Sequence, residues 1–218
     1  VSDQFGLELA SAGRKAFQKA GFKLVMDKSY PFGSQDLAGI ITEASRANPD
    51  AFVAMSYPPD TLGLTEQARA LKFNPKVFYT ALGTAFPIYR TRFGKNTEGV
   101  LGMGGWNPNA PETKAYFERY KKANNGAEPD RFASPVTYAS LQILEQAIER
   151  AGTDRKAVVK EIGSGTFNTI LGPRKLENQQ LRALYLVAQW QDGEFAAVWP
   201  KDMAGTVAYK PNKPAWQP

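Results

Sequence analysis

The first hundred residues alternate between helical and extended hydrophobic patterns. Apolar residues recur at helical spacing in segments that begin at Asp3, Asp36 and Pro59, and each segment ends at a glycine or an Asn-Pro pair. Short apolar runs lie between them. The pattern predicts helices over 5–20, 37–47 and 59–73, a helical turn over 85–93, and strands over 22–26, 51–55, 76–80 and 99–103.

These predicted strands are apolar along most of their length rather than alternating with polar residues. Such strands are typical of a sheet that is covered on both faces, and therefore of parallel strands with flanking helices. The sequence therefore predicts an α/β fold with a doubly wound parallel sheet.

The pattern changes after Trp106. Three helices are predicted over 112–124, 135–151 and 154–162, with no strand between them. Their apolar residues need a packing partner, and no sheet is evident in this stretch. The residues concerned are Tyr116, Phe117, Tyr120, Tyr138, Leu141, Leu144 and Ile148.

The C-terminal part returns to an extended pattern. Apolar runs over 183–190 and 195–199 flank Asp192-Gly193, which predicts a β-hairpin. The proline-containing tail after Tyr209 is expected to be an extended strap or a frayed end.

Composition narrows the chemistry. The chain has no histidine and no cysteine, which removes the commonest general base and all thiolate chemistry. The net charge of +6 comes from scattered residues, and no basic stripe with interleaved aromatics predicts nucleic-acid binding. No apolar run is long enough to span a membrane. Polar residues follow Val1 directly, so any export signal is expected to lie outside this chain.

Glycine and carboxylate motifs do not point to catalysis. The glycines at 99, 102, 104 and 105 match neither a dinucleotide fingerprint nor a P-loop, and a strand leading into a hinge is the favoured interpretation. Asp60 and Asp154 lie at helix starts, where carboxylates cap free amides. We therefore predict no enzyme, no cofactor and no metal site.

Aromatic residues at strand ends are the more informative feature. Tyr57, Phe86 and Trp106 each follow a predicted strand, and Phe5 lies in the first helical turn. Ligands of open α/β sheets bind outside the carboxyl ends of the strands. These four side chains are candidate contacts for an apolar or aromatic ligand, with plugging of the domain edge as the alternative.

An ordered set of short motifs resembles the branched-chain amino-acid (Leu/Ile/Val-binding) type of periplasmic solute-binding protein, which has the type I periplasmic-binding fold. The set covers nearly the whole chain. It comprises Ser2-Asp3-Gln4-Phe5-Gly6-Leu7-Glu8, Tyr30-Pro31, Asp36, Asn48-Pro49-Asp50-Ala51-Phe52-Val53, Glu66-Gln67-Ala68-Arg69, Thr97-Glu98-Gly99-Val100, Tyr138-Ala139-Ser140-Leu141-Gln142, Gly172-Pro173 and Gln189-Trp190.

The resemblance implies a periplasmic receptor with two lobes that close on a small molecule and present it to an ABC permease in the inner membrane. It divides this chain into 1–105 (lobe two), 106–165 (the helical remainder of lobe one) and 166–218 (a return to lobe two with the hairpin and tail). Most of lobe one, with its main carboxylate-gripping groups, is then absent. We expect half a binding cleft, and either self-association or a bound fragment of lobe one.

The resemblance also bears on the ligand. Amino-acid-binding relatives carry an acidic residue on the loop after the fourth strand of lobe two, where it pairs with the ligand ammonium. Leu82 falls at or near that position, and an unpaired ammonium beside leucine is unfavourable. An aromatic or branched carboxylate is therefore favoured over an amino acid. The predicted ligand-binding residues are Phe5, Tyr57, Leu82, Phe86 and Trp106.

Two other classes stay open at this stage. A Rossmann-type enzyme would need a glycine fingerprint after its first strand, and Phe32-Gly33-Ser34 is no substitute. A transcription regulator with the same effector-binding core would need a helix-turn-helix headpiece before Val1.

Overall fold

The computed structural model describes residues 1–34, 36–177, 179–181 and 185–218. The chain divides into two compact units. Unit 1 comprises Val1–Met103, Ala188–Phe195 and Ala208–Pro218, and unit 2 comprises Gly104–Val187 and Ala196–Val207. Within the described ranges, no helix has both the length and the hydropathy needed to span a membrane.

Unit 1 follows the predicted alternation of helices and strands. Asp3 caps the first helix by accepting a hydrogen bond from the Gly6 amide, the left-handed Asn48 ends the second, and Pro58 opens the third. The elements are α1 Gln4–Lys19, α2 Ala38–Ala47, β1 Ala51–Ala54, α3 Pro58–Ala70, β2 Val77–Thr80, α4 Pro87–Phe93 and β3 Leu101–Gly104, with short 3₁₀ turns at Gly83–Ala85 and Gly94–Thr97.

The main sheet has the strand order β1-β2-β3-β6-β7, where β6 is Leu186–Gln191 and β7 is Glu194–Trp199. Strand β1 pairs with β2 in parallel from Ala51–Val77 to Ala54–Thr80, and β2 pairs with β3 in parallel. Parallel strands with helices between them confirm the predicted α/β class.

Aromatic side chains form much of the core of unit 1. The Phe78 ring is completely buried. It stacks on Phe52, with 5.3 Å between ring centroids, and meets the edge of Trp216. Ile41, Leu64 and Val100 are also completely buried. Burial of side chains this large is the main contribution to the stability of the unit.

The strand predicted over 22–26 does not form. The run forms no strand, residues 22–25 are exposed, and Phe22 keeps 64% of its surface accessible. The Phe22 amide donates to the Phe17 carbonyl, and Arg14 pairs with Asp27, so the run is tied to α1. Strand β1 lies at the edge of the sheet. A strand needs a hydrogen-bonded neighbour, and an apolar run by itself does not supply one.

Unit 2 contains the helices predicted after Trp106 and a hairpin that was not predicted. The helices are α5 Pro111–Ala123, α6 Ser134–Ala151 and α7 Arg155–Ser164. Strands β4 Thr166–Thr169 and β5 Gly172–Lys175 pair antiparallel. This hairpin places Phe167 against Ile143 and Ala147 of α6 in a buried cluster. Asn168 also exchanges hydrogen bonds with the Gln146 side chain.

Helix α6 has two apolar stripes with different surroundings. One stripe is buried and consists of Pro135, Ala139, Ile143 and Ala147. The other is exposed and consists of Tyr138, Leu141, Leu144 and Ile148. We name these four residues the α6 outer face. The aromatic residues of α5 do find partners, because Tyr116 is buried against Trp106 and contacts Tyr138. The α5 aromatics therefore have partners within the chain, whereas the α6 outer face is exposed apart from the contact of Tyr138 with Tyr116, and its need for a further partner stays a prediction.

The C-terminal hairpin forms as predicted. Asp192 and Gly193 both have positive φ and join β6 to β7, as a two-residue hairpin turn requires. The first strand was predicted from Ala183, which lies outside the described residues. The tail is an extended strap: the Lys213 amide donates to the Lys76 carbonyl, and the Trp216 indole donates to the Phe73 carbonyl.

The unit boundaries differ from the predicted division in one region. The first division falls at 103/104, close to the predicted 105/106. The segments 166–187 and 196–207, however, belong to unit 2 rather than returning to the first body. For the segment 166–187, the contacts of the hairpin β4–β5 with α6 supply the physical reason, and the assignment of these segments to lobes stays a prediction.

Candidate functional site

An aromatic cluster lies at the carboxyl end of β1 in unit 1. It consists of Phe5, Phe32 and Tyr57. The Phe5 and Tyr57 centroids are 4.9 Å apart with planes tilted by 32°, and Phe32 meets Tyr57 edge-on at 5.3 Å. Phe5 and Tyr57 are half-buried and Phe32 is exposed. The cluster therefore leaves aromatic surface available for a ligand.

Asp3 holds the cluster in place. One carboxylate oxygen accepts the Gly6 amide at 2.8 Å, and the other accepts the Tyr57 hydroxyl at 2.7 Å. The same carboxylate thus caps α1 and fixes the Tyr57 ring. Gly6 is required here, because a Cβ at this position would lie 2.0 Å from the Val1 carbonyl oxygen.

The electrostatics of the cluster favour an ionised Asp3. The Gly6 amide, and after it the Tyr57 hydroxyl, lowers the pKa of Asp3, and the same hydrogen bond raises the pKa of Tyr57. Asp60 accepts a hydrogen bond from the Tyr57 amide. Its side chain is buried, and this desolvation raises the pKa of Asp60.

Leu82 lies in the loop that follows β2. Its side chain is 8% exposed, and its amide donates to the Ser56 carbonyl. The next residue, Gly83, approaches the start of α3 so closely that a Cβ would lie 2.6 Å from Thr61 Cβ. The loop is therefore packed against the α3 N-terminus beside Tyr57, and Leu82 itself is buried.

Phe86 and Trp106 have different surroundings. Phe86 is half-buried at the N-terminus of α4. Trp106 belongs to unit 2 and is 3% exposed. Its indole donates to the Asp130 carbonyl at 2.8 Å, and its ring packs on Tyr116 and lies 5.3 Å from the Arg131 guanidinium. Trp106 thus forms part of the interior packing of unit 2.

Two of the five predicted ligand residues, Phe5 and Tyr57, are brought into ring contact. Phe32 joins them in the cluster and was not among the predicted residues. The signal available was its position in a proline- and glycine-containing loop, six residues after the apolar run 22–26, where an aromatic side chain is not part of a predicted strand or helix. In the described ranges, no group of three or more acidic side chains is arranged to hold a metal ion.

Comparison with known proteins identifies the family. The family model described as "Periplasmic binding protein" matches residues 1–194. The chain belongs to this family. The prediction of a type I periplasmic-binding fold is thereby confirmed, and the family description agrees with the predicted periplasmic location and with a binding rather than a catalytic class.

Relatives and solved structures agree with this assignment. Leu/Ile/Val-binding protein homologs 7 and 8 of Brucella abortus are each 23% identical, over 90% and 92% of this chain. A leucine binding protein from Thermotoga maritima is 27% identical, with a TM-score of 0.78 over 92% of this chain and 59% of that one. A solute binding protein from R. palustris in complex with benzoate is 18% identical, with a TM-score of 0.80 over 95% and 57%.

The chain spans about half the length of the curated relatives, covering 52% of homolog 7 and 53% of homolog 8. The roles of Phe5, Tyr57, Leu82, Phe86 and Trp106 in ligand binding stay predictions.

Proposed function

We propose that this protein is the solute-binding component of an ABC uptake transporter and that its ligand is a small carboxylate with an aromatic or branched apolar body. The observation that carries the proposal is the aromatic cluster. Within it, both oxygens of the Asp3 carboxylate already accept hydrogen bonds from the protein. The proposal extends to delivery of the solute to an ABC permease.

The cluster suits an apolar ligand body. An aromatic ligand ring in contact with Phe5, Phe32 and Tyr57 gains burial and an offset or edge-on ring contact, worth about 0.5–1.5 kcal/mol per ring pair beyond the buried area. The hydrogen bond from the Tyr57 hydroxyl to Asp3 fixes the ring in place for this contact.

The charges near the cluster do not favour an ammonium group. Both oxygens of Asp3 accept hydrogen bonds from the protein, and Asp60 is buried. Leu82 occupies the loop at which the family's amino-acid binders are expected to carry an acidic residue. An ammonium placed there would lose its water without gaining a partner.

The structural neighbours include both ligand classes. Two R. palustris neighbours are complexes with benzoate and 4-hydroxybenzoate, whereas the Streptococcus pneumoniae neighbour is a complex with isoleucine. All three are less than 25% identical to this chain, so they support its fold and not its ligand. The choice between the two ligand classes therefore rests on the residues of the aromatic cluster.

The first test is calorimetric titration with benzoate and with leucine. It uses the 218-residue chain and a chain extended to the length of the relatives. We expect the extended chain to prefer benzoate and the 218-residue chain to bind it weakly, because the anion-gripping groups are expected on lobe one. Tight leucine binding by the extended chain would overturn the ligand class, and equal, tight affinity in both chains would overturn the half-cleft interpretation.

A pair of Tyr57 variants tests the cluster itself. Tyr57→Leu removes the ring, and we expect it to weaken benzoate binding by about tenfold. Tyr57→Phe keeps the ring and removes the hydroxyl bonded to Asp3, so it serves as the matched control with a smaller loss. Equal affinity of the wild type and Tyr57→Leu would show that this ring does not contact the ligand.

Leu82→Glu tests the position expected to contact an ammonium. The new carboxylate should attract leucine and repel benzoate, and shift the preference by about 1–3 kcal/mol. Competition between the two ligands in the extended chain measures this shift. An unchanged preference would show that residue 82 does not face the ligand.

A further inference from the structure

A cavity in unit 1, outside the aromatic cluster, has no role in the proposed function. It lies between the turn at 94–98, the hairpin turn at 192–193 and the C-terminal strap at 213–217, and its volume is about 590 Å³. All of its lining residues belong to unit 1.

The charged groups that line the cavity are unevenly paired. Glu98 and Asp192 are both within ion-pair distance of Lys210, with nitrogen–oxygen distances of 3.7 and 2.7 Å. Arg90, Lys95 and Lys213 also line the cavity. Among the ion pairs of the described residues, none includes any of these three cations. The lining therefore has an excess of unneutralised positive charge.

Lys213 is the most confined of these cations. Its residue is 5% exposed, and its ammonium donates to the Pro214 carbonyl at 2.6 Å and lies 3.3 Å from the Trp216 ring centroid. The absence of a side chain at Gly99 lets the Lys213 backbone approach closely, because a Cβ there would lie 2.9 Å from Lys213 Cα. Burial lowers the pKa of Lys213 to about 7. A carbonyl and a ring face therefore replace only part of the lost hydration.

We propose that this cavity is a second binding site of the protein, which takes a small oxyanion between Lys213 and Arg90. An oxyanion supplies the acceptors and the negative charge that a desolvated ammonium lacks. The Arg90 guanidinium lies over Gly193, where a Cβ would be 2.9 Å from its terminal nitrogen. The absence of a side chain at Gly193 lets the guanidinium lie at the cavity. This site is independent of the solute proposed for the aromatic cluster.

Sulfate is a suitable probe because its charge does not change near neutral pH. Titration at constant ionic strength, followed by amide NMR spectra, should shift the signals of residues 94–98 and 192–193. We expect Lys213→Met, which keeps an apolar stem over Trp216, to weaken binding by about tenfold or more, and exposed Arg90→Gln to weaken it by about threefold. Arg46→Gln, an equal charge loss on the exposed end of α2 in the same unit, is the matched control.

The pH dependence adds a readout that a purely structural lysine would not give. Sulfate should bind the protonated amine, so its affinity should fall by about tenfold or more between pH 6 and 8.5. The other charged groups facing the cavity are Arg90, Lys95, Glu98 and Asp192. The chain contains no histidine or cysteine, the side chains that ordinarily titrate in this range.

Three results would overturn the proposal. The first is the absence of shifts at residues 94–98 and 192–193. The second is an equal loss of affinity in Arg46→Gln and Arg90→Gln, which would indicate a general charge effect. The third is a pH-independent affinity in the wild type. If Lys213→Met fails to fold, as judged by its amide spectrum, Arg90→Gln and the pH series decide the question.

Discussion

Units 1 and 2 differ in how their apolar residues are covered. In unit 1, helices, sheet and C-terminal strap enclose Ile41, Leu64 and Phe78 completely. In unit 2, helix α6 buries one stripe against the β4–β5 hairpin and α7, while its outer face stays exposed, with Leu141 60% accessible. Both stripes of α6 have helical spacing and apolar composition. Burial was decided by which elements were available to pack.

The same lesson appears inside unit 1. The runs 22–26 and 51–54 are both apolar, but only the second pairs with a neighbouring strand. Hydrophobicity creates a tendency to be buried, whereas a strand or a buried face also needs a partner of the right geometry. The α6 outer face and the run at Phe22 stay largely exposed, although Tyr138 contacts Tyr116 and Phe22 meets Phe17.

The largest expected effect contrasts a buried residue with an exposed one. Phe78→Ala should lower the free energy of unfolding by about 3–5 kcal/mol, because it leaves a cavity beneath Phe52 and Trp216. Leu141→Ala on the α6 outer face should change it by no more than about 0.5 kcal/mol. Urea unfolding of both variants of the 218-residue chain measures the contrast. A similar loss in both would mean that Leu141 is buried in solution.

The next effect concerns association through the α6 outer face. Exposed apolar patches of this kind are typical of contact surfaces, so we expect the 218-residue chain to self-associate or to retain a bound lobe-one fragment. The double variant Leu141→Lys and Leu144→Lys should weaken self-association by about tenfold or more. Leu71→Lys, at an exposed leucine in unit 1, is the control.

Light scattering with native mass spectrometry distinguishes the two forms of association. A dimer of one chain supports self-association, and a second peptide in the complex supports a retained fragment. A compact monomer at all concentrations, with no companion, would contradict both expectations and would mean that the outer face is covered within the chain.

A further effect is a pH dependence located in unit 1. Burial lowers the pKa of Lys213 from 10.5 to about 7. Between these values the unfolded chain binds a proton at Lys213 that the folded chain does not. The free energy of unfolding should therefore rise with pH across this window, and the contribution of Lys213 to it should be least favourable below pH 7. The slope is at most about 1.4 kcal/mol per pH unit.

Lys213→Met should reduce that slope relative to the wild type. Urea midpoints between about pH 7 and 9.5 measure it, a window that ends before lysine and tyrosine side chains ordinarily titrate. Parallel pH profiles in the two proteins would show that Lys213 is not desolvated in the folded state.

Much of the fold could be predicted because its determinants are local. Asp3 caps α1, Asn48 ends α2, and Asp192-Gly193 turns the C-terminal hairpin, each through a backbone geometry or a hydrogen bond within a few residues. The hairpin β4–β5 was missed because its apolar residues are few and its strands depend on packing against α6.

The candidate site was predicted in part for the same reason. Tyr57 follows from the rule that ligands bind at strand ends, Phe5 was predicted from its place in the first helical turn, and the structure brings the two rings together. The link between them, Asp3 to the Tyr57 hydroxyl, joins residues 54 positions apart, and no local pattern indicates it. Trp106 satisfied the same strand-end rule, yet its ring and indole nitrogen are used within unit 2.

The sequence by itself determined the α/β class, the helix boundaries and the lack of histidine and cysteine chemistry, because composition and short-range backbone geometry decide these properties. Only the tertiary structure decided which apolar runs are covered, which strand-end aromatics meet, and that Lys213 loses its water without gaining a carboxylate. These outcomes depend on contacts between segments that are far apart in the sequence. Burial and desolvation are set by which side chains become neighbours, and spacing along the chain does not specify those neighbours.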